Sequence, residues 1–135
     1  MKPFRVLSHP YTLIICFLLI IISGENWGGF YLLYILMALP FGALHALLAI
    51  AGIASLVIGY HGFQKKLSVL KILNLVGVMF LLASLFYFFW ADKHHYNYGT
   101  FQETVPLLTL IITAIIAVCF LIGTFLKPTT KFLIV

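Results

Sequence analysis

The sequence predicts an all-α integral membrane protein, four transmembrane helices in a small bundle, and three observations carry that prediction. The first is composition. The 135 residues are 64% hydrophobic and 8% charged, with a mean hydropathy of +1.17, whereas a soluble globule carries about a quarter charged residues. The second is the length of the apolar runs. Stretches of about 20 residues, without the in-out alternation of a barrel strand, select helices, because lipid offers no partner to a free backbone group. The third is the placement of the basic residues, taken up once the spans are in order.

Lys2 and Arg5 precede the apolar run Tyr11 to Ile22, a shape shared with secretory signals. Apolar character reaches back to Val6, however, and no A-x-A-like site follows at Ser23-Gly24, so an uncleaved first helix is expected over 6–23. Gly24 to Gly29 reads as a turn, with Trp27 at headgroup level.

From Trp27 to Tyr60 the chain carries no formal charge. As one straight helix this stretch would run about 50 Å at 1.5 Å per residue, against a hydrocarbon core of about 30 Å. It is also too short for two crossings and a turn. Pro40 supplies the break, since it lacks an N–H and its ring clashes with the preceding helical turn. The expectation is an outer segment over 28–39, interfacial or re-entrant, followed by a full span over 41–60.

A short basic connection with Lys65 and Lys66 leads to a third span over 67–90, closed by the aromatic belt Phe86 to Trp90. The polar segment 91–103 follows. A fourth span over 104–126 has Pro106 in its first turn, where a missing N–H costs nothing. The resulting expectation is a single domain over 1–135.

Four crossings place Lys2, Arg5, Lys65, Lys66, Lys71, Lys127 and Lys131 on one side and Lys93 alone on the other, with Glu25, Asp92 and Glu103 beside it. That is the bias of the positive-inside rule for a cytoplasmic face. An odd number of spans would scramble it. The layout expected is therefore both termini cytoplasmic, in an inner membrane. The net charge of +5 does not point to nucleic acid, because the cations form no stripe or cluster. Cys16 and Cys119 fall inside apolar runs, with no CxxC pair, and read as small packing groups.

Helices in lipid associate where small residues let backbones approach. Ala38, Gly42 and Ala46, then Ala51, Ser55 and Gly59, supply such positions at every fourth residue. Asn74, Gly77 and Ser84 do so on the third span, and Thr109, Thr113 and Ala117 on the fourth. The segments Asn26-Trp27-Gly28-Gly29-Phe30 and Asn97-Tyr98-Gly99-Thr100-Phe101 share a pattern, either the trace of a duplicated hairpin or two uses of the same turn chemistry.

His45, just past the Pro40 break, is the residue that stands out for function, because ionisable groups at membrane depth are functional candidates. The plainer reading is a neutral imidazole bonded to a neighbouring helix. Asp92, His94, His95 and Glu103 are weak metal candidates together with His45, of a donor type that suits zinc, but at no motif spacing. A haem alternative needs facing imidazoles, from His45 with His94 or His95, or from His9 with His61. No catalytic motif and no ionised group at a span centre occurs. The function expected is a non-catalytic membrane component, acting as a homo-oligomer or as a subunit of a membrane complex. The alternatives are a transporter or channel subunit for a neutral solute using Pro40 and His45, and a histidine-ligated metal or haem protein.

Overall fold

The computed structural model describes residues 2–24, 28–62 and 66–126. It is mostly helical. Among the described residues three helices are long and apolar enough to cross a membrane: α4 (Leu44–His61), α5 (Leu67–Trp90) and α7 (Thr104–Leu126). The remaining elements are shorter: α1 (Lys2–Leu7), α2 (Pro10–Leu18), the strands β1 (Ile21–Ser23) and β2 (Gly28–Phe30), α3 (Tyr31–Ala38) and α6 (Gly99–Gln102). Among the expected features, Glu25, Trp27, Lys65, Lys127 and Lys131 lie outside the described residues.

α4 and α5 form an antiparallel hairpin with the most extensive pairing in the chain. α2 packs on both α4 and α7, and α5 meets α7, which closes a ring of four. One end of the ring holds the β1–β2 pair, α3 and the 91–103 segment. The opposite end holds α1, the start of α5 and the end of α7, and is called the basic end.

The α4–α5 seam is set by glycines. A Cβ on Gly77 would lie 2.7 Å from Leu56 Cγ, and one on Gly52 would lie 2.9 Å from the Gly77 carbonyl oxygen. Only glycine allows this approach. At Gly59 the Asn74 Oδ1 atom occupies the place of a Cβ, 2.5 Å from the ideal position, which gives that otherwise unpartnered oxygen a C–H neighbour. The buried face of α4 is therefore Ala46, Ala49, Gly52, Leu56 and Gly59. Of the expected seam, Ala46 and Gly59 lie on this face, while Ala51 and Ser55 are half-buried beside it. A strict repeat of four runs ahead of the 3.6-residue turn and drifts off the contact face. On the other helices Gly77, Ser84, Thr113 and Ala117 are buried, and Ala38 is half-buried against the core.

The first segment departs from the expected uninterrupted helix over 6–23. α1 ends at Leu7, and His9, driven extended (φ −88°, ψ 136°) by the proline that follows, becomes the N-cap of α2, with its side chain accepting from the Tyr11 N–H. Pro10 then sits at the first helical position, where its missing N–H is harmless. Thr12 Oγ1 donates to the Val6 carbonyl at 2.8 Å across the break. α2 stops at Leu18, and the isoleucine run 20–22, stiff at χ1 and well suited to a pleat, turns extended. β1 pairs antiparallel with β2, Ile22 opposite Gly29.

A buried extended edge requires covering donors and acceptors. Threonines supply them. Ile21 N–H donates to Thr109 Oγ1 at 3.0 Å and Ser23 N–H to Thr100 Oγ1 at 2.9 Å. Thr113 Oγ1 bonds the Cys16 carbonyl at 3.2 Å.

The segment nonetheless runs the length of α7. Ser8 lies against Gly123, where a Cβ would meet the serine side chain at 2.7 Å. At the other end, Ser23 Oγ donates to Glu103 Oε1 at 2.7 Å. Residues 8–23 thus span what α7 covers in about 30 Å of helix at 1.5 Å per residue, because the last part is extended.

The two Asn-aromatic-Gly segments fold differently. Gly28–Phe30 is a strand and Gly99–Gln102 a single helical turn, so the described parts of the two segments share no structure, and Asn26 and Trp27 lie outside the described residues.

Candidate functional site

His45 owes its position to the break before it. α3 ends at Ala38, and Leu39–Phe41 form one 3-10 turn containing Pro40. Gly42 then adopts φ +66°, with no atom near its Cβ direction. Gly42 is therefore a chain-reversal residue, exposed and outside the packing seam where it was expected. Its left-handed backbone is what lets α4 start at Leu44, later than the expected 41. The reversal folds α3 back on the start of α4.

This brings Tyr31 beside His45, with ring centroids 6.3 Å apart. Phe88 packs edge-on against both, at 5.2 Å from each. Tyr31 and Ser84 are fully buried. The tyrosine and serine hydroxyls are 2.7 Å apart, and Ser84 Oγ donates to the His45 carbonyl at 2.7 Å. Serine has one hydrogen, and it is spent on that carbonyl, so the Tyr31 hydroxyl is the donor of the pair. The result is a directed chain from Tyr31 to Ser84 to the His45 backbone, tying α3, α5 and α4 together.

The His45 ring shares a hydrogen bond with the backbone of Tyr34. Its Nε2 atom is buried and has no partner among the described residues. Chemically the site offers one imidazole nitrogen in an aromatic enclosure.

The 91–103 candidates do not join it. Asp92 Oδ2 accepts from the Asn97 N–H at 2.7 Å, which holds the turn that follows α5. Glu103 serves Ser23. His94 packs on Tyr96 and His95 on Tyr98, both histidines exposed. His95 carries a positive φ of 55°, a turn conformation in which histidine is one of the enriched residues. Among the described residues no three His, Cys, Asp or Glu side chains gather in a way that could hold a metal ion. The gathering of His45 with Asp92, His94, His95 and Glu103, expected as the metal alternative, is replaced by separate structural roles.

The haem alternative fares differently at its two ends. His45 packs on Tyr31 and Phe88, not on His94 or His95. At the basic end His9 and His61 do come into one cluster, with Tyr11 and Tyr60 between them. His9 lies 4.9 Å from Tyr60, Tyr60 lies 4.9 Å from His61, and the Tyr11 hydroxyl is 2.6 Å from His61 Nε2. Tyrosines thus fill the space between the imidazoles.

Sequence reasoning missed Tyr31, Gly52, Thr100 and Gly123. Tyr31 carried a signal, since a tyrosine inside an apolar run seeks a partner for its hydroxyl. The others become visible only through contacts with remote segments. Comparison with known proteins finds no family model, no curated protein and no solved structure that matches this chain.

Proposed function

We propose that the chain crosses a cytoplasmic membrane four times, with both ends and the 61–71 connection on the cytoplasmic side. In this reading it acts without catalysis, by association with a second copy or with other membrane-protein subunits. The passage of residues 8–23 along the full length of α7 supports the fourth crossing, and the one-sided placement of the lysines supports the orientation.

The observation that carries association is α3. Leu33, Leu36 and Met37 are exposed on it, and Phe41, in the 3-10 turn that follows, is 88% exposed. Leu33, Leu36 and Met37 follow helical spacing and form one stripe. A helix lying at the membrane surface keeps a polar face toward water, but in YLLYILMA the tyrosines are the only polar groups, Tyr31 buried and Tyr34 half-buried. An element apolar all round is one that other matter covers. A partner helix against the stripe satisfies that requirement.

The test is the mass of the purified protein in mild detergent by light scattering, with mass spectrometry of whatever copurifies. An assembly larger than one chain is expected, or a copurifying membrane subunit, lost in Met37→Lys. A strict monomer without partners overturns the reading.

A second reading draws on the unpartnered His45 Nε2. If a neutral solute passes this site, His45→Ala stops flux in reconstituted vesicles while the fold is retained. Unchanged flux removes it.

A further inference from the structure

Two clefts meet at Tyr98, away from His45. One is an apolar groove of about 310 Å³ between the end of α5 and the start of α7, lined by Phe86, Phe89, Trp90, Phe101 and Leu110 together with Tyr98. The other, of about 440 Å³, is lined by Ser23, His95, Gln102 and Glu103, again with Tyr98. Tyr98 is held between them: its hydroxyl donates to the Phe89 carbonyl at 3.5 Å, and its ring lies 4.2 Å from His95 and 5.7 Å from Phe101. One side of this tyrosine is hydrocarbon and the other is hydrogen-bonding.

A joint cleft of that kind fits an amphiphile, and its charge selects among head groups. Among the described residues that line the polar cleft, Glu103 carries the one formal charge. One of its oxygens accepts from Ser23 Oγ, and a carboxylate has a second oxygen to offer. A primary ammonium brings both the opposite charge and N–H donors. An anionic head group is repelled, and a quaternary ammonium has no hydrogen to give. The groove opens beside the exposed rings of Phe86 and Trp90, where an aromatic belt meets lipid head groups.

We infer that the two clefts form one site for a phospholipid with a primary ammonium head group, the ammonium on Glu103 and an acyl chain along Phe89 and Phe101. The inference rests on α5 and α7 standing in a bilayer. It is independent of oligomeric state, so its failure leaves the association reading untouched.

The test offers the full chain in detergent equal amounts of phosphatidylethanolamine, phosphatidylglycerol and phosphatidylcholine of the same acyl length, and counts retained lipid by native mass spectrometry. The ethanolamine lipid is expected to be retained about fivefold over the other two, the upper end for one solvent-exposed ion pair. Glu103→Gln keeps an oxygen for Ser23 and is expected to abolish the preference. Phe86→Ala with Trp90→Ala, both at exposed positions, is expected to lower retention of all three lipids. Glycerophosphoethanolamine, which lacks chains, is expected not to compete. Equal retention of the three lipids, a preference that survives Glu103→Gln, or effective competition by the chainless head group overturns the inference.

Discussion

At Ser84 one hydroxyl joins three elements, and its loss leaves two groups stranded: the Tyr31 hydroxyl and a share of the His45 carbonyl. Ser84→Ala is therefore expected to destabilise the protein by about 1 to 2 kcal/mol, the upper part of the range for hydrogen bonds between membrane helices. Tyr31→Phe leaves the serine still bonded to the carbonyl and is expected to cost about half as much. Thermal unfolding of both single variants and the double variant in one detergent checks this, and the double variant is expected to fall short of the sum, because the two hydroxyls share one bond. Gly42 separates backbone strain from crowding. No atom lies near its Cβ direction, yet φ is +66°, so Gly42→Ala is expected to cost about 1 kcal/mol through conformation alone, and Gly42→Asn less. Equal stability of the alanine variant and the parent would show that the reversal after Pro40 is not held in the left-handed region.

Among the elements, the α4–α5 hairpin has least room to give. Gly77→Ala presses a methyl on Leu56 and on the Gly52 carbonyl, and a loss of about 1 to 3 kcal/mol is expected, as for other overpacked sites. A double-cysteine pair across the seam, measured by distance-sensitive spin labels, is expected to report wider helix separation in that variant. The α4, α5 and α7 helices were legible in the sequence because each is a long apolar run with a clear end, in the His61-Gly62 break, the Trp90 belt or Pro106. The first segment was not. Its apolar run hid two local instructions, the extended residue that Pro10 imposes on His9 and the strand preference of three isoleucines. A buried extended segment also survives only when its backbone groups are paired, and the covering atoms of Thr100 and Thr109 come from far along the chain. The same distance hid the site: His45 and Ser84 were visible as residue types, but their connection runs through Tyr31, which the α3 fold-back alone brings near. Thr109→Val removes the acceptor of the Ile21 N–H, and faster amide exchange at Ile21 is expected, with little change at Leu56 in the α4 core.

For the whole molecule, the sorting of charge predicts which surfaces water-soluble reagents reach. Single cysteines at Lys66 and Lys93 are expected to be labelled from opposite sides of sealed membranes by an impermeant maleimide, and labelling from one side would remove the proposed crossing number. The threonine cover over β1 also has a consequence for the order in which the protein is made. A ribosome releases residues 8–23 well before it has joined Thr100, Thr109 and Thr113 to the chain. In the proposed four-crossing layout the amides of Ile21 and Ser23 have only water to bond until those hydroxyls arrive, so this earliest portion is expected to wait at the aqueous boundary and insert after its successors. A nascent polypeptide arrested just past Trp90 would hold its beginning outside the lipid, open to protease, and release of the remaining residues would draw it in.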